Sequence, residues 1–223
     1  MNKIINNITS NGVHKNQHVI HYGALLDEAI AVMIMIHGRG ASAHDILSLA
    51  YEIALPDIAY IAPQAKGNTW YPYSFLSPVE MNEPDLSSGL AVIDSIVESL
   101  HQKGFASEQI YLLGFSQGAC LSLEYAARNP RKYGGVFGLS GGLIGEVLDR
   151  NNYSSNLDGT EVFLGCSDVD PHIPLQRVNE TETIYKELNA KVTKRIYKGM
   201  PHTVNHDEIE FIKAIIKTRI EKR

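Results

Sequence analysis

Apolar residues recur along the chain in two alternating rhythms. "AVMIMIHG" (31–38), which ends in glycine, "IAYIAP" (58–63), which stops at proline, "QIYLLGF" (109–115), "GGVFGLSGG" (134–142) and "TEVFLGC" (160–166) are short, nearly unbroken apolar runs. Such runs predict strands buried on both faces of a parallel sheet. Between them the period lengthens. In "DLSSGLAVIDSIVESLHQKG" (85–104), Leu86, Leu90, Ile93, Val97 and Leu100 step by four and three, one stripe of an amphipathic helix, with Gly104 as its stop. "QGACLSLEYAARNP" (117–130) reads as a helix closed by Asn129-Pro130, and "PLQRVNETETIYKELNA" (174–190) as another. "VTKRIYKG" (192–199) alternates apolar and charged positions, as a strand near a sheet edge does. The last helix opens at Asn205, with Glu208 three residues on completing a capping box and basic residues late in the segment. "DRNNYSSNLDGT" (149–160) is the most polar stretch and is expected to be a surface loop. Strands alternating with helices predict an α/β fold, a mostly parallel central sheet with helices on both faces.

Length and charge narrow the class. The 223 residues suit one α/β domain, 1–223, without a linker or repeat. A net charge of −5 and the lack of a basic run beyond the terminal "TRIEKR" argue against nucleic acid as a partner. The longest apolar run, "AIAVMIMI" (29–36), is too short to cross a bilayer, so no transmembrane segment is expected. "MNKIINNITSNG" has no apolar secretory core, and two cysteines, Cys120 and Cys166, make no disulfide framework. A cytoplasmic setting is therefore expected.

Reactive groups in such sheets gather beyond the carboxyl ends of the strands. Ser116 follows "QIYLLGF", Asp168 and Asp170 follow "TEVFLGC", and His202 follows "VTKRIYKG". Serine, acid and histidine in that chain order match an α/β-hydrolase triad. The hydroxyl needs a base, and the base needs a group that fixes its tautomer. Gly-x-Ser-x-Gly by itself arises by chance in roughly one chain in ten of this composition, so its placement between a strand and a helix is what gives it weight. A sharp turn there exposes the hydroxyl, and Gly114 and Gly118 leave room for it. An oxyanion hole is expected from the backbone N–H of Gln117 and, from the loop "HGRGAS" (37–42), that of Arg39.

Taken together, "IHGRGAS", "APQAKGNTWYPYSF", "LLGFSQGACLSLEYAARNP", "LSGGL", "GCSDVDPHIP" and "YKGMPHTV" resemble the phospholipase/carboxylesterase family of α/β-hydrolases, which includes the acyl-protein thioesterases. The resemblance runs from about residue 31 to 204. It implies an α/β-hydrolase fold with Ser116 as nucleophile, Asp170 as orienting acid and His202 as base. It also implies a metal-independent serine esterase, without cofactor, acting on small or lipid-like acyl esters or thioesters. Lysophospholipase and acyl-protein thioesterase are the neighbouring activities. "GNTWYPYSF" is more similar to the bacterial carboxylesterase branch than to the protein-depalmitoylating branch.

Several residues admit a second reading. Asp168 could be the triad acid or a turn residue, and His202 a surface histidine. His37 is expected to be packed and structural, and Cys120 buried and inert. The aromatic segment holding Trp70, Tyr71, Tyr73 and Phe75 is either a loop packed on the core or a wall or lid of the substrate pocket; Leu143 and Ile144 could line the same pocket. "GRGASA" (38–43) also fits a dinucleotide fingerprint, but the acid expected after the next strand is missing: Asp57 precedes it and Gln64 follows it. His202 and His206 stand four apart as zinc ligands can, yet without the Glu of H-E-x-x-H. An inactive scaffold of the same fold is the non-enzyme alternative. Nothing in the sequence sets the oligomeric state, which leaves a homodimer open.

Overall fold

The computed structural model describes residues 10–221; most of the segment read above as lacking a secretory core lies outside them. Seven strands form one sheet: β1 (Val19–Gly23), β2 (Ala31–Ile36), β3 (Ile58–Pro63), β4 (Ile110–Phe115), β5 (Gly135–Leu139), β6 (Glu161–Ser167) and β7 (Lys191–Tyr197). Their order across the sheet is β1-β3-β2-β4-β5-β6-β7. β1 runs antiparallel to β3, and every other neighbouring pair is parallel.

Each central strand sends alternate residues to opposite faces, and both faces are covered. In β2, Val32, Ile34 and Ile36 join one apolar cluster while Met33 and Met35 join the other. The first cluster lies under α2 (Asp85–Gln102), α3 (Gln117–Arg128) and α4 (Leu175–Glu187). The second lies under α1 (Ala43–Ile53) and α5 (His206–Ile220). This two-sided burial explains why the sheet's interior strands read as unbroken apolar runs. β7 is an edge strand, as its alternation predicts, and its lysines and arginine blunt that edge.

Two elements were not expected from the sequence. β1 is short and half-exposed, and α1 begins immediately after the glycine-bearing loop. The helix is nevertheless well started: the Ser42 side chain accepts the Asp45 N–H, and the Asp45 carboxylate accepts the Ser42 N–H at 2.7 Å. The polar stretch 149–160 lies on the surface but is anchored by buried Tyr153, Leu157 and Thr160. Among the described residues no helix is long and apolar enough to cross a membrane.

Candidate active site

The turn from β4 into α3 sets the centre of the site. Ser116 has φ 55° and ψ −120°, a conformation that costs a residue with a Cβ on the order of 1–3 kcal/mol. It is held by its N–H donating to the Leu139 carbonyl (3.0 Å) and its carbonyl accepting from Cys120 N–H (3.0 Å). The two glycines are required by close approach. A Cβ at Gly114 would lie 2.2 Å from the Gly118 carbonyl oxygen, and one at Gly118 would lie 2.1 Å from that of Ile36. α3 therefore packs directly against the strand ends, with its N-terminus beneath the serine.

β6 and β7 bring the other two groups to the same place. His202 Nε2 lies 2.9 Å from Ser116 Oγ, and His202 Nδ1 lies 2.7 Å from Asp170 Oδ2. The other Asp170 oxygen accepts N–H bonds from His172 (2.9 Å) and Ile173 (3.0 Å). Burial opposes ionisation of Asp170. The hydrogen bond and charge of His202 and the two backbone N–H donors outweigh it, so the carboxyl is held below its usual range. A carboxylate facing Nδ1 keeps the proton there and leaves Nε2 of the neutral ring free to accept from the serine hydroxyl. Phe115 and His172 flank the imidazole, each with its ring centroid 4.9 Å away. Asp168 is elsewhere engaged: it accepts the Gly199 N–H at 2.7 Å, the turn role.

The loop after β2 passes beside the serine. A Cβ on Gly38 would stand 3.4 Å from Ser116 Cβ. Arg39 and Gln117 both border the cavity that contains Ser116, and among the described residues neither backbone N–H has a partner. This loop is pinned at several points. The Trp70 indole N–H donates to the His37 carbonyl (3.0 Å), and Gly40 N–H donates to the Asn68 carbonyl (2.7 Å). His37 is buried, donating from Nδ1 to the Gly38 carbonyl (2.8 Å) and accepting Ala65 N–H at Nε2 (3.1 Å). Burial pushes its pKa down, which suits a neutral structural ring.

The pocket differs in part from the sequence expectation. A cavity of about 470 Å³ opens over Ser116, with Tyr71, Phe75, Phe115, Cys120 and Ile173 as walls and Tyr73, Arg39 and His172 towards its mouth. Trp70, Leu143 and Ile144 do not line it. Trp70 is turned into the core, its ring against His14 and His37. Leu143 and Ile144 are buried in the apolar cluster. Their N–H groups donate to Thr181 Oγ1 (3.0 Å) and Glu124 Oε2 (2.8 Å). Arg177 fixes the same loop from below by donating to the carbonyls of Leu143, Gly145 and Glu146. Burial raises the Cys120 thiol to about 12, in line with an inert residue, although it forms part of the cavity wall.

Other contributions were missed. The Gln117 side chain accepts Trp70 N–H (2.9 Å) and donates to the Tyr71 carbonyl (2.8 Å), tying the aromatic segment to α3. Gln64 accepts Ala43 N–H (2.9 Å), so the position where a ribose-binding acid would be sought instead caps α1. Histidine 206 is the first residue of α5, behind the Asn205 cap, whereas His202 lies in the preceding loop, so the two do not share a helix face. His172 and Ile173, both inside "GCSDVDPHIP", border the cavity and were missed although that motif could have signalled them.

A parallel sheet with helices on both faces, and a serine on a sharp turn between β4 and α3, define an α/β-hydrolase. The chain belongs to the phospholipase/carboxylesterase family, whose profile matches residues 15–220. The structure is similar to that of a phospholipase/carboxylesterase from Dyadobacter fermentans DSM 18053, at 44% identity and a TM-score of 0.88, covering 91% of this chain and 97% of that one. A carboxylesterase from Bacillus cereus shares the fold at 19% identity and a TM-score of 0.74, over 91% of this chain and 94% of that one. Acyl-protein thioesterase 1 of Kluyveromyces lactis is 34% identical over 143 residues, 62% of each chain. The chain thus spans less than two thirds of the length of that thioesterase.

Proposed function

We propose that this protein is a serine carboxylesterase that works as a single domain and cleaves compact acyl esters through an acyl-enzyme. The observation that carries the reading is the unbroken chain from Ser116 Oγ to His202 Nε2 (2.9 Å) and from His202 Nδ1 to Asp170 Oδ2 (2.7 Å). Ser116 attacks the ester carbonyl as His202 takes its proton. His202 then returns that proton to the leaving alcohol, and Asp170 holds the imidazole in register and stabilises its charged form. The N–H groups of Arg39 and Gln117 receive the negative charge that develops on the carbonyl oxygen; each such donor is worth about 3–4 kcal/mol in the transition state. Water, activated by the same imidazole, releases the acid.

Replacing Ser116 with alanine tests this directly. The variant should keep the wild-type melting temperature and lose about 10⁶-fold in kcat on p-nitrophenyl esters. A near-native rate would refute the assignment. A p-nitrophenyl series from acetate to palmitate, run beside an acyl thioester, separates the activities. The esterase reading expects an optimum at short or medium acyl groups; a palmitate optimum or a thioester preference would move the reading to a lysophospholipase or an acyl thioesterase.

A further inference from the structure

Among the residues that line the cavity, Arg39 is the only lysine, arginine, aspartate or glutamate. Asp170 stands behind His202 with its side chain fully buried, and its charge is directed at the imidazole. The cavity therefore presents one permanent positive charge and no negative one, in a chain whose net charge is −5. Arg39 also differs from most of its fellows. Arg128, Arg131, Arg150, Arg177 and Arg195 each face a carboxylate; Arg219, near the end of α5 and away from this cavity, does not among the described residues. Arg39 makes no ion pair among the described residues, and it is exposed.

Its guanidinium is nonetheless fixed. One terminal nitrogen donates to the Pro72 carbonyl (2.8 Å), the other to the Tyr73 carbonyl (2.6 Å), and the group stands 5.9 Å from the centre of the Tyr71 ring. Two of five N–H groups are thereby used, on neutral acceptors that leave the charge uncompensated. The remaining donors are held in a fork whose shape suits a carboxylate, so little side-chain entropy is lost when one binds.

We infer that the Arg39 side chain recognises a carboxylate on the substrate, which makes the favoured substrate an ester carrying a second, ionised acid group. Such esters are monoesters of dicarboxylic acids, with the charge on the acyl half, or esters of hydroxy acids, with the charge on the alcohol half. This rests on the esterase reading above and gives that site its substrate class.

Two matched pairs test it. 4-Nitrophenyl monoglutarate against 4-nitrophenyl pentanoate places the charge on the acyl half. 4-Acetoxybenzoate against its methyl ester places it on the leaving group. In at least one pair the wild-type protein should favour the anionic ester in kcat/KM by about tenfold or more, mostly through KM, as a charge-assisted hydrogen bond predicts. The preference should shrink in 0.5 M NaCl. Arg39→Met, which keeps the backbone N–H, should bring the ratio to one or below, and Arg39→Lys should keep part of it. Because the ratio is read within one variant, a general loss of rate does not disturb it. Turnover of the neutral esters with no anionic preference in either pair, or a preference that survives in Arg39→Met, overturns the inference alone. No turnover of any ester overturns the esterase reading and this inference with it.

Discussion

Asp170 divides its two oxygens between two tasks, and that division predicts the fate of a near-isosteric substitution. Oδ1 accepts the N–H groups of His172 and Ile173, while Oδ2 faces His202 Nδ1. In Asp170→Asn the amide oxygen stays on the two backbone donors, so the amide NH₂ turns towards the imidazole. Nδ1 must then be the acceptor, the ring proton moves to Nε2, and the histidine can no longer take the proton of Ser116. The expected outcome is a loss of about 10⁴ in kcat with little change in KM, measured on a p-nitrophenyl ester. A loss below tenfold would show that the tautomer is not set by this contact. Gly118 makes a different prediction. Its substitution by alanine pushes a methyl group to 2.1 Å from the Ile36 carbonyl, which the helix can relieve only by moving away and taking the Gln117 N–H with it. Urea unfolding should show a loss of about 2 kcal/mol or more. Of these residues, the serine, histidine and glycines could be read because strand ends and turn chemistry mark them locally. Between Asp168 and Asp170 the local sequence leaves both open, and only the family resemblance picks Asp170. Both follow β6, and the turn sends one to Gly199 and the other to His202. Trp70, Leu143 and Ile144 were misplaced for a related reason: an apolar side chain in a loop near the site can face the cavity or the core, and no periodicity distinguishes the two.

The buried strands and α2 to α5 left strong traces in the sequence because each buries enough apolar surface to fix its own rhythm. α1 did not, although its burial is real: Ile46, Leu47, Ala50 and Ile53 face the sheet. Its start follows a stretch whose glycines read as a loop. The Ser42/Asp45 pair that begins the helix was the available signal. β1 pairs with β3 at the sheet margin, and its five residues pass from buried to exposed without alternating, which leaves no strand rhythm to separate it from a loop. The cap on α1 begins three residues after Arg39, the proposed oxyanion donor. Ser42→Ala removes the acceptor for Asp45 N–H and also the hydroxyl and geometry that hold the Asp45 carboxyl below its usual range. It should cost about 1 kcal/mol in thermal or urea unfolding. If the cap also steadies the Arg39 N–H, kcat should fall with KM nearly unchanged, and an unaltered kcat would confine its role to folding.

The supports of the site and the helix behind it respond to protons in opposite directions. His14 and His37 bracket Trp70, both buried and both accepting a backbone N–H, from Lys66 (3.1 Å) and Ala65 (3.1 Å). Burial lowers both pKa values from 6.5. Below that value the unfolded chain takes up protons the folded one refuses, so stability is full above pH 6.5 and declines as pH falls, by up to about 1.4 kcal/mol per pH unit for each ring. Glu208 does the reverse. It is fully buried, one oxygen has no partner, and burial raises its pKa from 4.5 to about 7. Between those values the folded chain keeps a proton the unfolded chain has lost, so stability declines as pH rises through that range. The two trends oppose each other between pH 5 and 6.5, and only the Glu208 trend remains between pH 6.5 and 7. Glu208→Gln retains an acceptor for the Asn205 N–H, which the carboxylate accepts at 2.9 Å, and removes the titration. The variant should gain up to about 3 kcal/mol at pH 8 and lose stability more steeply than wild type below pH 6.5. Urea titrations across pH 5 to 8 measure both. Because the two proteins differ at this one group, every other titration cancels in the difference, and a difference independent of pH would mean that Glu208 carries no proton in the folded state. Asn205 lies three residues beyond His202, so the same comparison made on kcat reports whether charge at Glu208 reaches the loop that holds the proposed base.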